Sequence, residues 1–144
     1  MDNYIVTIAR EYGSGGRLIG KELAKELDIA FYDRELIVLA AKESGLAEEF
    51  VQKMEYKRTI SFINNLYMTG YELPVSEKIF LAQCKVIRQV AEEGSCVIVG
   101  RCADYVLRDV PNCIRVFVHA PMEERIKRIR EVYGEEQPNL EDFI

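Results

Sequence analysis

Tyr4-Ile5-Val6-Thr7-Ile8-Ala9 runs directly into Arg10-Glu11-Tyr12-Gly13-Ser14-Gly15-Gly16-Arg17, and Leu18, Ile19, Leu23, Ala24 and Leu27 then recur at helical spacing through Asp28. The first six residues are short, β-branched and largely apolar, the composition of a buried parallel strand. A glycine cluster between such a strand and an amphipathic helix is the opening of a βαβ unit. The rest of the chain repeats the theme. Ile29–Tyr32 reads as a second short strand. Asp33 is placed to cap a helix from Arg34 to about Ser44, which Gly45 would stop. Ala47–Tyr67 suggests one or two further helices, and Met68–Pro74 a loop.

Ser76–Glu93 carries Phe80, Cys84, Ile87 and Ala91 on one helical face and ends at Gly94. Cys96–Val99 and Ile114–Val118 are expected as buried strands, with His119 closing the second in a structural role. Pro121 suits the first turn of a last helix, with Glu123 and Glu124 near its positive end, Arg128 and Arg130 further along and Gly134 stopping it. The order predicts an α/β fold: a parallel sheet with helices on both faces, in one domain over residues 1–144.

Composition narrows the function. Nearly half the residues are hydrophobic, so a packed core is expected, and the formal net charge is −5. That balance argues against a nucleic acid polymer as partner, since polyanion binding needs a basic face, but leaves mononucleotides open. No apolar run approaches a membrane span and no signal-peptide pattern opens the chain, so no membrane partner is expected and a cytoplasmic location is the default. Cys84, Cys96, Cys102 and Cys113 form no C-x-x-C pair, and with one histidine a metal site is not expected; reduced, partly buried thiols are.

Four motifs fall at the carboxyl ends of the expected strands, where ligands of parallel sheets bind. In Gly13, Ser14, Gly15, Gly16 and Arg17, glycines let successive N–H groups turn toward one anion, and the helix adds its positive dipole end, an arrangement suited to phosphate. A tight turn chosen only for geometry is the plainer account. The segment departs from G-x-x-x-x-G-K-[ST]: Gly16 stands where the lysine belongs and Arg17 where the hydroxyl belongs. The literal match ending at Gly20-Lys21 puts its lysine a turn too deep in the helix. Arg17 is therefore the candidate replacement, and the missing hydroxyl leaves the Mg²⁺ ligand open.

Arg101, in Gly100-Arg101-Cys102-Ala103-Asp104, would face the crevice as a fixed cation or pair with a surface carboxylate. Asp33 is a helix cap, a ligand contact or both, and Arg34 is a candidate for an acceptor phosphate. Arg125 and Arg128 share a helix face and, taken alone, read as a solvated basic surface.

Together the segments I-A-R-E-Y-G-S-G-G-R-L-I-G-K-E-L-A, F-Y-D-R-E-L-I, V-I-V-G-R-C-A-D-Y-V-L and R-V-F-V-H-A-P-M-E-E-R-I-K-R-I resemble the cytidylate kinase-like family of P-loop nucleoside monophosphate kinases. In that branch E-Y-G-S-G-G-R looks like a substitute for the ordinary phosphate loop. The resemblance implies a P-loop nucleoside triphosphate hydrolase-type three-layer architecture and phosphoryl transfer from ATP, with Mg²⁺, to a CMP-like nucleoside monophosphate. It implies that Gly13 to Arg17 hold the donor. It gives an acceptor-binding helical insert over about residues 34–73, a partial lid over about 122–144, and catalytic roles for Arg17, Arg101, Arg125 and Arg128. Asp33, Arg34, Arg101 and Asp104 would bind the acceptor, Asp104 standing in for the aspartate that Cys102 replaces. An inactive nucleotide-binding module, and a kinase for another small phosphate acceptor, are the competing readings. Family members continue beyond the position of Ile144, so slow or absent turnover is expected of these residues alone. An exposed sheet edge would leave a homo-oligomer open.

Overall fold

A computed structural model describes residues 3–34, 36, 37 and 75–134. Four strands, β1 (Ile5–Arg10), β2 (Ala30–Tyr32), β3 (Cys96–Val99) and β4 (Cys113–Val118), form one parallel sheet in the order β2-β3-β1-β4. Helix α1 (Gly16–Glu26) packs on one face; α2 (Val75–Glu93) and the single turn α3 (Ala103–Val106) lie on the other. Helix α4 (Met122–Val132) follows β4. This is the expected α/β sheet with helices on both faces, the three-layer P-loop architecture. The expected helical insert beyond Ile37 and the expected lid after Gly134 lie outside the described residues.

Strand alternation divides the core in two. Ile5, Cys96 and Ile98 pack with Cys84, Ile87, Ala103, Val106 and Leu107 under α2 and α3. Val6, Ile8, Val97 and Val99 face α1 through Ala24. Every residue of β3 is buried, as its unbroken apolar run requires. Among the described residues, no helix is long and apolar enough to cross a membrane.

Three expectations are corrected. Leu18, Ile19 and Leu27 are exposed; the face of α1 that meets the sheet is Gly16, Gly20 and Ala24. A Cβ on Gly20 would lie 2.8 Å from Val99 Cγ2, so the helix backbone rides directly on the strands. Gly20-Lys21 thus belongs to packing rather than to a phosphate loop, with Lys21 exposed. Phe80 is 39% exposed, although Cys84, Ile87 and Ala91 on its face are buried. Finally, β4 is not a buried strand. Among the described residues it pairs with β1 alone, and Ile114 (58%) and Phe117 (62%) are exposed on opposite faces. His119 is exposed and stacks loosely on Phe117, with ring centroids 6.3 Å apart. Periodicity cannot distinguish an apolar edge strand from a central one.

Arg115 secures this edge strand by donating to the carbonyls of Leu107 and Arg108 at 3.1 and 2.7 Å, oxygens at the end of α3. Burial sets the expected response to truncation. Ile98→Ala should cost about 2–5 kcal/mol, as for other filled core positions. Ile114→Ala should change stability by under about 0.5 kcal/mol, as for other surface positions. Chemical denaturation of the two variants checks the contrast, and equal losses would contradict an uncovered β4.

Candidate phosphate site at the strand ends

Gly13 and Gly15 take φ of +79° and +88°, which lets the chain reverse between β1 and α1. Ser14 N donates to Glu11 O at 3.1 Å. The amides of Gly15, Gly16 and Arg17 donate to no acceptor among the described residues, as the first amides of a helix must in the absence of a cap. Ser14 Oγ is likewise buried without a partner. A group of unengaged donors beside an orphaned hydroxyl fits the oxygens of a phosphate.

The loop's carbonyls are held from the opposite side. Arg125 Nε donates to Tyr12 O at 2.7 Å, and Arg128 Nη1 donates to Gly13 O at 2.7 Å. Arg125 is buried, with Nη1 also 3.6 Å from Glu11 Oε2. Ile129 fills the space beside Gly13, where a Cβ would come within 2.8 Å of its Cδ1. Tyr133 stacks on Tyr12 at 6.3 Å. The pair that sequence spacing alone read as a solvated basic face is a clamp on the loop. Three-residue spacing reports a shared face but not what that face meets.

Arg17 turns away from the loop toward β2. Its Nε lies 2.9 Å from Oδ2 of buried Asp33. Oδ1 of Asp33 accepts from Leu36 N at 3.1 Å, so this carboxylate caps the following turn and anchors Arg17 together. Arg34, the next residue, is exposed.

After β3 the backbone takes three positive φ values in succession: Gly100 at 76°, Arg101 at 55° and Cys102 at 54°. For the two non-glycine residues this conformation is unfavourable by roughly 1–2 kcal/mol each. It turns the chain into α3 and leaves Arg101 at the ligand-facing end of the sheet. Arg101 has its basicity lowered first by burial, then by the guanidinium groups of Arg34 and Arg10. None of these three arginines has a carboxylate partner among the described residues. Arg10, Arg101, Cys102, Asp104 and Phe117 line a cleft of about 250 Å³ with Thr7, whose buried Oγ1 is also unpartnered. The structure thus gathers Arg101, Arg34 and Asp104 on one side and Gly13 to Gly16 on the other. Arg10 belongs with them, and the sequence reading passed over it. Its signal was a charged residue ending an otherwise apolar buried strand.

Thiol chemistry checks this geometry. Cys102 is exposed beside Arg101, whereas burial, with Cys113 adding to it, pushes the Cys96 thiol up to about 11. The thiolate is the reactive form. At pH 8, iodoacetamide should modify Cys102 well ahead of Cys96, read by mass spectrometry of digested protein. Equal rates in the folded state would contradict the placement of Cys102 at the open end of the sheet.

The comparisons agree with this architecture. A protein of undescribed function from Eubacterium ventriosum, solved by crystallography, superposes with a TM-score of 0.68 at 30% identity, over 97% of this chain and 68% of that one. Among curated proteins no match is found. The sequence model of the cytidylate kinase-like family matches residues 5–143, which take in the glycine loop, the Arg101 turn and the α4 clamp, and the chain belongs to that family.

Proposed function

We propose that the protein is a nucleoside monophosphate kinase that transfers the γ-phosphoryl group of ATP to a CMP-like acceptor. Family membership supports a nucleotide kinase-like function. The observation that supports the finer reading is the pairing of two groups of unengaged donors at one end of the sheet, each of a kind that suits an anion. One is the loop of unengaged amides with the Ser14 hydroxyl; the other is Arg101 with Arg34, cations without a counter-ion among the described residues. Two phosphate sites side by side suit a donor and an acceptor better than they suit one phosphate.

In this reading the amides of Gly15, Gly16 and Arg17 hold the donor phosphates. Arg101 and Arg34 hold the acceptor phosphate, with Asp104 in the cleft beside its nucleoside. An acceptor phosphate oxygen attacks the γ-phosphorus, the bond to the bridging oxygen breaks, and ADP leaves with that electron pair. No side chain has to carry a proton, so positioning and positive charge do the catalytic work. Asp33 fixes Arg17 at the border of the two sites, and Arg125 and Arg128 keep the loop's amides turned toward the donor.

The residues fit nucleotide phosphates. Among the described residues no cluster of three or more His, Cys, Asp or Glu side chains is placed to hold a metal. Mg²⁺ of the kind such kinases use would be held mainly by phosphate oxygens and water, where it would neutralise charge on the transferring group. The absence of a hydroxyl at residue 17 favours the competing reading, a nucleotide-binding module with weak catalysis.

The left-handed conformation of Arg101 gives a sharp test. Glycine is at ease there, so Arg101→Gly should leave the melting temperature unchanged or raise it. It should weaken CMP binding by about 1.5–3 kcal/mol, the loss of a charge-assisted contact. Calorimetry with CMP, beside an ADP-release assay using ATP, Mg²⁺ and each monophosphate in turn, measures both. Unchanged CMP affinity with a lowered melting temperature would make Arg101 a structural residue and remove the main support for the acceptor site.

A further inference from the structure

Position 16 lacks the lysine that phosphate loops of this kind use to reach the β- and γ-phosphates, and Arg17 is drawn off toward Asp33. The space a side chain at position 16 would enter is already filled. A Cβ on Gly16 would lie 2.6 Å from Arg10 Cβ and 3.0 Å from Arg10 Cγ. The same arginine then crosses to β3, where a Cβ on Gly100 would lie 2.7 Å from its Nη1 and 3.3 Å from its Cζ. Two glycines from different elements, one opening α1 and one following β3, thus form a channel for one side chain.

We infer that Arg10, at the end of β1, supplies the polyphosphate-binding cation that residue 16 does not, and that Gly16 and Gly100 are glycines so that it can lie at the seam between the donor loop and Arg101. The inference rests on the kinase reading for which phosphates meet there, but binding of the cation to polyphosphate stands apart from turnover.

The surrounding charges favour a ligand role over a structural one. The adjacent carboxylate, Glu11, is engaged elsewhere: its Oε2 accepts from Ala120 N at 3.3 Å and lies 3.6 Å from Arg125. Arg128 is committed to the Gly13 carbonyl. Arg10 forms no hydrogen bond or ion pair among the described residues and is close enough to Arg101 to depress its basicity. A guanidinium held beside a second guanidinium, without an acceptor, is stabilised when an anion comes between them. Its planar fork can take oxygens from two phosphate groups, which a point charge cannot do as well.

The test uses inorganic tripolyphosphate, which carries no base, measured by calorimetry on the whole protein. Arg10→Met should lower its affinity roughly 10- to 100-fold, the range for one charge-assisted contact, with the melting temperature little changed. Gly16→Ala should lower it comparably, because the methyl displaces the arginine. The exchange variant, Arg10→Gly with Gly16→Lys, should recover much of the loss by returning a cation to the same space from the loop side. Wild-type protein that does not bind tripolyphosphate, or an Arg10→Met variant that binds as wild type does, overturns the inference. So does an Arg10→Met variant that loses stability and keeps affinity. If tripolyphosphate binding depends on Arg10 but ATP and CMP yield no CDP, the inference stands and the kinase reading fails.

Discussion

Amides and carbonyls alternate along a chain, so a loop that turns several N–H groups toward one anion must dispose of its C=O groups elsewhere. Here that constraint is met by α4. The carbonyls of Tyr12 and Gly13 accept from Arg125 and Arg128, both at 2.7 Å. Charge-assisted bonds of this length are the stronger kind, and one of the two arginines is buried. The position of β4 follows from the same need. Glu11 N donates to Val118 O at 3.0 Å and Ala120 N donates to the Glu11 carboxylate, so the strand delivers α4 to the back of the loop. An exposed edge strand with little core of its own is held by what it positions.

The division between what could and could not be read from sequence follows the range of the interactions involved. Strand β3 was legible to the residue, because a run of four apolar residues between a helix stop and a glycine has one good solution in a parallel sheet. The loop and the start of α1 were legible because glycine spacing and helix period are local signals. The face of α1 was legible only in part: Ala24 and Leu23 meet the core, but hydrophobicity also favoured Leu18, Ile19 and Leu27, which are exposed, while close approach favoured Gly16 and Gly20. Small residues carry little hydrophobic signal, yet they admit the shortest distance between helix and sheet. Arg125 was read as solvated because its partner, the Tyr12 carbonyl, is 113 residues away in sequence. Arg10 was missed because its surroundings are two glycines, residues whose significance lies in what they leave room for.

The same account explains how one end of the sheet can hold so many cations. Arg17 is neutralised by Asp33 and Arg125 faces Glu11, so these arginines order the backbone and add little net charge to the site. Arg10, Arg34 and Arg101 lack such partners among the described residues, and the first two guanidinium groups act unfavourably on the charge of the third. The left-handed backbone at Arg101 and Cys102 adds a conformational cost at the same place. Both costs are carried by the rest of the fold, above all by the buried strands β1 and β3. On the proposed function a bound phosphate would relieve the first of them, so the free energy of binding would include the release of a repulsion that folding has already overcome.

Charge distribution also separates small ligands from large ones. The chain as a whole is acidic, with a formal net charge of −5. At physiological ionic strength the screening length is about 8 Å. A mononucleotide held as proposed would come within that distance of Arg10 and Arg101, with Asp104 in the same cleft. A long polyanion would extend past these arginines over a protein of negative net charge while only a few of its phosphates reached them. On the proposed function, local attraction then applies to a few groups and repulsion to many, so a cluster of arginines on a chain of net negative charge favours short phosphate ligands over long ones.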